Sequence, residues 1–196
     1  MLMRYFTMGG IQFSGKIPTM IDIVFAQTGE ALEHIITLSQ EYVTWMLAEI
    51  RERYPELDIH EFTSEHEYDD IRKKFPGEHV PPDGCLLLAL SEGKVCGCIA
   101  IGKLTDDVCE IRTLYVRTAC RGMGVGKKLV EASLNEARKF GYGYARLDTL
   151  AFMDSALKLY RSLGFYDIEP YRDISASLKR YICFLELNLI HTSPTL

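Results

Sequence analysis

The side chains best placed to do chemistry fall in one stretch, CEIRTLYVRTACRGMGVGKKL, Cys109–Leu129. A run rich in β-branched and aromatic residues ends in Arg121-Gly122-Met123-Gly124-Val125-Gly126 and passes directly into helix-forming sequence. Glycines leave successive main-chain N–H groups uncovered, and a helix start adds unpaired donors and the positive end of its dipole. Arg117, Arg121, Lys127 and Lys128 bring positive charge to the same place. A phosphate or pyrophosphate is the natural occupant. Two familiar phosphate loops are excluded by the residues present. A dinucleotide fingerprint starting at Gly122 requires glycine at 127, where lysine stands. A Walker A loop ending in Gly126-Lys127 requires glycine at 121 and Ser or Thr at 128, where the chain has Arg121 and Lys128. A turn that only starts a helix has no need of Gly122, Gly124 and Gly126 together, since each glycine costs conformational entropy.

Such a turn works only if a strand and a helix hold it. Val108–Val116 reads as the strand, and the sequence from the turn to about Phe140 as the helix, with Leu129, Val130, Leu134 and Ala137 on one side. Upstream, Ile21–Ala26 reads as a strand. Gly29–Arg53 reads as a long amphipathic helix, capped by Thr28 and ended by Pro55. Ser64 to about Phe75 fits a second helix with a capping box at Ser64 and Glu67, and Pro76–Gly84 a loop. Cys85–Leu90 and Val95–Leu104 join Val108–Val116 in an antiparallel meander through Ser-Glu-Gly-Lys and Thr-Asp-Asp turns. Downstream come a strand at Tyr144–Thr149, a helix at Ser155–Leu163 ended by Gly164, and strands at Phe165–Ile168 and Arg180–Leu189. The expected fold is an α/β (α+β) single domain over residues 20–190. Residues 1–19 are expected to be a flexible extension that does not make a signal peptide, with Met20 an alternative start, and residues 191–196 a tail.

Composition narrows the function. At 196 residues, 47% apolar and 25% charged, the chain suits one packed domain. Twenty-two Lys and Arg against 27 Asp and Glu give a net charge of −5, the wrong sign for a protein that coats nucleic acid. Every apolar run falls far short of the roughly 18 residues of a membrane helix. Six cysteines are too few for a disulfide scaffold and sit largely in strand-like runs, as buried reduced thiols in a cytoplasmic protein would. Cys96 and Cys98 form C-x-C, and His60, His66 and His79 are scattered, so no metal is expected. An acidic run from Glu49 to Asp70 reads as a solvated helix face, or else as a negative rim for a cationic acceptor.

Two motifs in this order resemble the GNAT family of N-acetyltransferases. Arg121, Gly124 and Gly126 match its pyrophosphate loop Arg/Gln-x-x-Gly-x-Gly/Ala, and Glu110 to Val116 its preceding E-x-x-x-L-Y-V strand. Ala156, Leu159, Tyr160, Leu163, Gly164 and Phe165 match a second signature, A-x-x-L-Y-x-x-L-G-F. The resemblance covers Ile21 to Leu189, by pattern alone before Cys85. It implies a central mixed, mostly antiparallel sheet flanked by helices, with strands splayed apart at the coenzyme A site.

It also implies acetyl-CoA as co-substrate and direct transfer to a primary amine. The pyrophosphate would lie on Arg121, Gly122, Met123, Gly124, Val125, Gly126 and Lys127. The pantetheine arm and thioester carbonyl would meet main chain at Leu114, Tyr115 and Val116, a small oxyanion hole. Glu110 stands where some members carry a general base, and Tyr160 where many carry the acid that protonates the departing thiolate. Outside the resemblance, Glu110 reads as a strand-edge carboxylate, solvated or salt-bridged, and Tyr160 as a core aromatic. Where many members have an asparagine that binds pantetheine, this chain has Met153, so that either Asp154 or Ser155 stands in or the contact is missing. The expected partner is a small-molecule or peptide amine, with no nucleic acid and no membrane, and a homodimer is left open. A non-catalytic acyl-CoA-binding sensor of the same fold is the alternative.

Overall fold

The computed structural model of the chain describes residues 7–8, 11–12, 20–26, 29–58 and 71–190. Nine strands are described: β1 Thr7–Met8, β2 Ile11–Gln12, β3 Ile21–Phe25, β4 Cys85–Ser91, β5 Lys94–Lys103, β6 Val108–Val116, β7 Tyr144–Leu150, β8 Tyr166–Ile168 and β9 Ile182–Asn188. The helices are α1 Gly29–Arg53, α2 Ile71–Lys74, α3 Val125–Lys139 and α4 Asp154–Ser162. β1 and β2 pair only with each other, and the other seven strands form one open sheet in the order β3-β4-β5-β6-β7-β9-β8. Every neighbouring pair in it is antiparallel except β6 and β7. The mixed, mostly antiparallel sheet flanked by helices is the architecture that the sequence led us to expect.

Alternation of side chains dictates the layers. On β4, Cys85, Leu87 and Ala89 join a core built with α3 and α4, while Leu86 and Leu88 join a second core under α1. A strand buried on both faces reads as an unbroken apolar run, and CLLLAL does. α3 turns Val125, Leu129, Val130, Leu134 and Ala137 into the first core, the 3.6-residue stripe of an amphipathic helix. Burying a side chain such as Leu129, fully inaccessible here, is worth about 1.5–3 kcal/mol. α1 presents Ile35 and Leu38 to the second core, and lower down Met46 and Ile50 meet Leu150 at the end of β7. The β4–β5 turn runs through Glu92 and Gly93 with φ of 50° and 74°, the mirror-type turn whose twist suits a two-residue hairpin.

Element boundaries agree with the sequence reading to within one or two residues, and Gly29–Arg53 and Val108–Val116 agree at both ends. The final strand starts later than expected because Lys179–Tyr181 form a 3₁₀ turn. Of the helix expected over Ser64–Phe75, only Ile71–Lys74 is described as helix. Thr28, residues 59–70 and the 191–196 tail lie outside the described residues, as does the 1–19 extension apart from β1 and β2.

The pattern failed to foresee an irregularity in β6. The β5–β6 register shifts between Cys98 and Ala100, so Thr113 and Leu114 together face Ile99, and Thr113 takes a left-handed φ of 53°. The bulge reverses the alternation. Before it Cys109 and Ile111 face the α3 core, and after it Leu114 and Val116 do. Across the sheet, Gly97 allows the strands to close up, since a Cβ there would lie 2.4 Å from the Tyr115 carbonyl oxygen. Gly97→Ala is therefore expected to cost about 1–3 kcal/mol in urea unfolding. An unchanged midpoint would contradict this packing at the bulge.

Candidate active site

β6 and β7 share only three parallel pairs, Val108–Tyr144, Cys109–Ala145 and Glu110–Arg146. Beyond Glu110 the two strands diverge, although β6 runs to Val116 and β7 to Leu150. The Arg117 amide donates to the Cys96 carbonyl at 2.9 Å, and alternation from that bond turns the Tyr115 amide toward β5 as well. The amides of Leu114 and Val116 then face the opening between β6 and β7. Tyr115 contributes instead a ring buried in the α1 core, 6.0 Å from that of Tyr42.

The strand leads through a 3₁₀ turn, Thr118–Cys120, to the glycine loop. Gly122 and Gly124 hold φ of 75° and 81°, where a side chain would strain the backbone. No atom lies within 4 Å of either Cβ position, so the main chain here is open. Gly124 is the N-cap of α3 and supplies no side-chain cap, which leaves the first-turn amides of Val125, Gly126 and Lys127 without helix partners. Gly126 sits against Leu159, tying the loop to α4, and Met123 projects outward. Arg121 donates from Nε to the Val116 carbonyl at 3.0 Å, and its guanidinium lies 5.0 Å over the Trp45 ring on α1. Lys127 stands 3.7 Å from Glu131. Arg117, expected to add charge to the loop, is engaged elsewhere. It grips Glu41 through two bonds of 2.9 and 2.7 Å and the Val95 carbonyl at 3.0 Å, fastening α1 to the sheet.

Below the divergence lies a cavity of about 710 Å³, bordered by α1, the Lys73–His79 segment, β6, β7, α4 and Tyr171-Arg172. Glu110 and Tyr160 both line it. Glu110 is only 6% exposed. Arg112 donates to its Oε2, and the Tyr171 hydroxyl to its Oε1 at 2.6 Å. The same hydroxyl lies 3.4 Å from Asp148, whose other oxygen accepts from Arg172 at 2.7 Å. Arg112 reaches on to Glu78. Tyr171 thus spans two carboxylates, each with its own arginine. Its ring stands edge-on to Phe184 at 5.2 Å, with the Arg146 guanidinium 5.6 Å over its face. The register aligns Glu110, Arg146, Glu186 and Tyr166 in one row across four strands, a polar floor of alternating charge closed by Arg146–Glu186 at 2.7 Å.

Burial decides the proton affinities. It raises the Asp148 carboxyl above the ordinary aspartate value, against the pull of Arg172. Burial also pushes Tyr171 and Tyr160 well above the usual phenol value, so both carry their protons at neutral pH. It lowers His79, which is packed with its Nδ1 3.2 Å from the Ile101 carbonyl. Tyr160 is core and cavity wall at once: 5% exposed and edge-on to Phe165 at 5.5 Å, it makes no hydrogen bond among the described residues. Met153 also lines the cavity, accepting a contact from the Thr149 hydroxyl at 3.3 Å, while Asp154 and Ser155 point to solvent. Of the acidic run, Glu52, Glu56 and Asp58 are exposed and away from the cavity, and Glu61 to Asp70 lie outside the described residues. Among the described residues no His, Cys, Asp and Glu group is arranged to hold a metal, and no helix is long and apolar enough to cross a membrane.

Asp148, Tyr171, Arg112 and Arg172 escaped the sequence reading. Asp148 did leave a trace, as the one carboxylate in YARLDTL, two residues from Arg146 on the face opposite Ala145 and Leu147. Tyr171-Arg172 lies in irregular chain, where no periodicity aims a side chain.

Residues 44–165 match the profile described as the acetyltransferase (GNAT) family. An uncharacterised N-acetyltransferase of Schizosaccharomyces pombe is 40% identical over 96 residues, covering 48% of this chain and 59% of that protein. One of Escherichia coli is 40% identical over 81 residues, 40% of this chain and 48% of that protein. The chain thus spans about half the length of these curated relatives. In architecture it is similar to an acetyltransferase from Streptococcus agalactiae at a TM-score of 0.63, with 18% identity over 86% of this chain and 98% of that one.

A carboxyl that burial raises and one arginine lowers should respond to loss of that arginine. In carboxyl-carbon NMR the Asp148 midpoint is expected above the ordinary aspartate range, and higher still in Arg172→Gln. A midpoint that stays put or falls in the variant would contradict the assigned balance.

Proposed function

The chain belongs to the acetyltransferase (GNAT) family, and from that membership we propose that it transfers acetyl from acetyl-CoA directly to a primary amine. The observation that carries the reading is continuity: two outward amides at the β6 opening lead without interruption into an uncovered glycine loop at a helix start. The donor fits what is there. Open space over Gly122 and Gly124, with the free first-turn amides, suits a pyrophosphate, and the unpaired side of β6 suits an extended amide-bearing arm. Acetyl-CoA, when bound, supplies an acyl group activated as a thioester.

The remaining work falls to the chain. Arg121 and the main chain of Gly122 to Lys127 hold the phosphates. Leu114 and Val116 donate to the carbonyl oxygen as charge grows there, an effect worth about 2.7–4 kcal/mol per donor elsewhere. Tyr115 acts as the buried brace between them. Glu110 takes a proton from the incoming ammonium, and Tyr171 joins it to Asp148, whose raised proton affinity suits the task. The new C–N bond forms as the C–S bond breaks. Tyr160, kept protonated by burial, gives its proton to the departing sulfur and regains one from the acylated nitrogen, so one proton in all passes to solvent. Met153 replaces one polar contact to the arm with an apolar one. Residues 20–190 form the transferase domain in this reading, and six free thiols suit a reducing compartment such as the cytoplasm.

Titration calorimetry with acetyl-CoA, followed by thiol release with a panel of primary amines, tests the reading. Saturable binding is expected, lost in Gly124→Val. Thiol release is expected to fall at least about tenfold in Tyr160→Phe while binding survives. Binding with no thiol release, indifferent to Glu110→Gln and Tyr160→Phe, would make the chain a non-catalytic acyl-CoA binder. Absence of binding would overturn the donor.

A further inference from the structure

The acceptor's chemical class follows from how charge is arranged on the cavity wall, given the acetyl-transfer reading above. Among the described residues that line the cavity, four side chains are cationic (Lys73, Lys74, Arg112, Arg172) and three anionic (Glu78, Glu110, Asp148). A bare alkyl amine or a polyamine arrives as a cation and brings nothing for the guanidiniums of Arg112 and Arg172 to hold, whereas a zwitterion does.

The pairing within the wall goes further. Glu110 and Asp148 are each held by one arginine and joined by Tyr171. Arg172 uses only Nη2 for this, with Nε and Nη1 making no hydrogen bond among the described residues, and Arg112 likewise leaves Nη2 over. These guanidiniums are about half exposed while the carboxylates they hold are more deeply set. A molecule carrying both an ammonium and a carboxylate can therefore exchange ion pairs with the wall. Its ammonium settles on Glu110 and Asp148, and its carboxylate on the remaining arginine donors, a fork that suits a carboxylate better than a lysine would. Acids and guanidiniums alike stay compensated throughout, which a partner of single charge does not achieve.

We propose that the acceptor is an amine bearing its own carboxylate, of the amino-acid class, with Arg172 reading that carboxylate. The described members of the acidic run do not line the cavity and supply none of these contacts.

The test compares free L-amino acids with their carboxamides, and with simple diamines, by thiol release from acetyl-CoA. A second arm follows acetyl-CoA binding alone through the fluorescence of Trp45, the chain's one tryptophan, which lies beside Arg121. A carboxylate holds the neighbouring amine protonated more firmly than a carboxamide does. Chemistry alone thus favours the carboxamide, and preference for the acid reports recognition. At least one amino acid is expected to exceed its carboxamide about tenfold or more in kcat/KM. Arg172→Gln is expected to bring the ratio close to one with acetyl-CoA binding intact, and Arg172→Lys to keep part of it. Carboxamides or diamines that match or surpass the acids would overturn the proposal. So would bound acetyl-CoA with no carboxylate-bearing amine acetylated, or a ratio untouched in a folded Arg172→Gln. Failure of acetyl-CoA to bind the wild type would instead overturn the donor reading on which the proposal stands.

Discussion

β6 and β7 hold together over three residue pairs and then part, and the site depends on that separation. A parallel pair surrenders hydrogen bonds when it opens, so something must compensate the freed groups or leave them for a ligand. The bulge at Thr113 does part of this. It keeps β6 bonded to β5 beyond the irregularity, while Leu114 and Val116 turn their amides to the open side. Tyr115, packed against Tyr42, fixes the strand from behind, and Arg117 clamps it to α1 through Glu41. Amides held so firmly need little reorganisation to meet a developing charge, which is how main-chain donors contribute to acyl transfer.

The cavity below solves a different problem. Glu110 and Asp148 are both set into the protein, and two neighbouring carboxylates repel unless each is compensated. Tyr171 donates to the first and lies within reach of the second, Arg112 and Arg172 neutralise them, and Arg146 covers the Tyr171 ring. The arginine pairs are too exposed to add much stability, and surface pairs of this kind contribute about 0–1 kcal/mol. Their consequence is positional. They present two acids and two guanidinium forks to one space next to Tyr160.

The residues announce some of these elements and not others. The long helix over Gly29–Arg53, the meander and the glycine loop were legible because each follows from local rules: a 3.6-residue stripe, two-residue alternation and turn-forming residues. Glu110 and Tyr160, which both line the cavity, stand out in sequence because they sit inside motifs. The bulge was not, since Thr113 is a β-branched residue in a good strand and nothing local marks its left-handed conformation. Asp148, Tyr171 and Arg172 meet Glu110 only through the register of β7 and the path of an irregular segment, which are tertiary facts. The charge of Arg117 lies near the loop in sequence, but its partner Glu41, 76 residues away, is a tertiary fact as well.

In the proposed reaction the gap between β6 and β7 receives the acyl donor along main-chain amides. Residue-resolved hydrogen exchange with and without acetyl-CoA tests it most directly. The amides of Leu114 and Val116 should exchange readily in the free protein and slow markedly with acetyl-CoA bound, together with those of Gly122 to Lys127. Acetyl-CoA that binds and protects the loop while leaving Leu114 and Val116 unchanged would contradict the account.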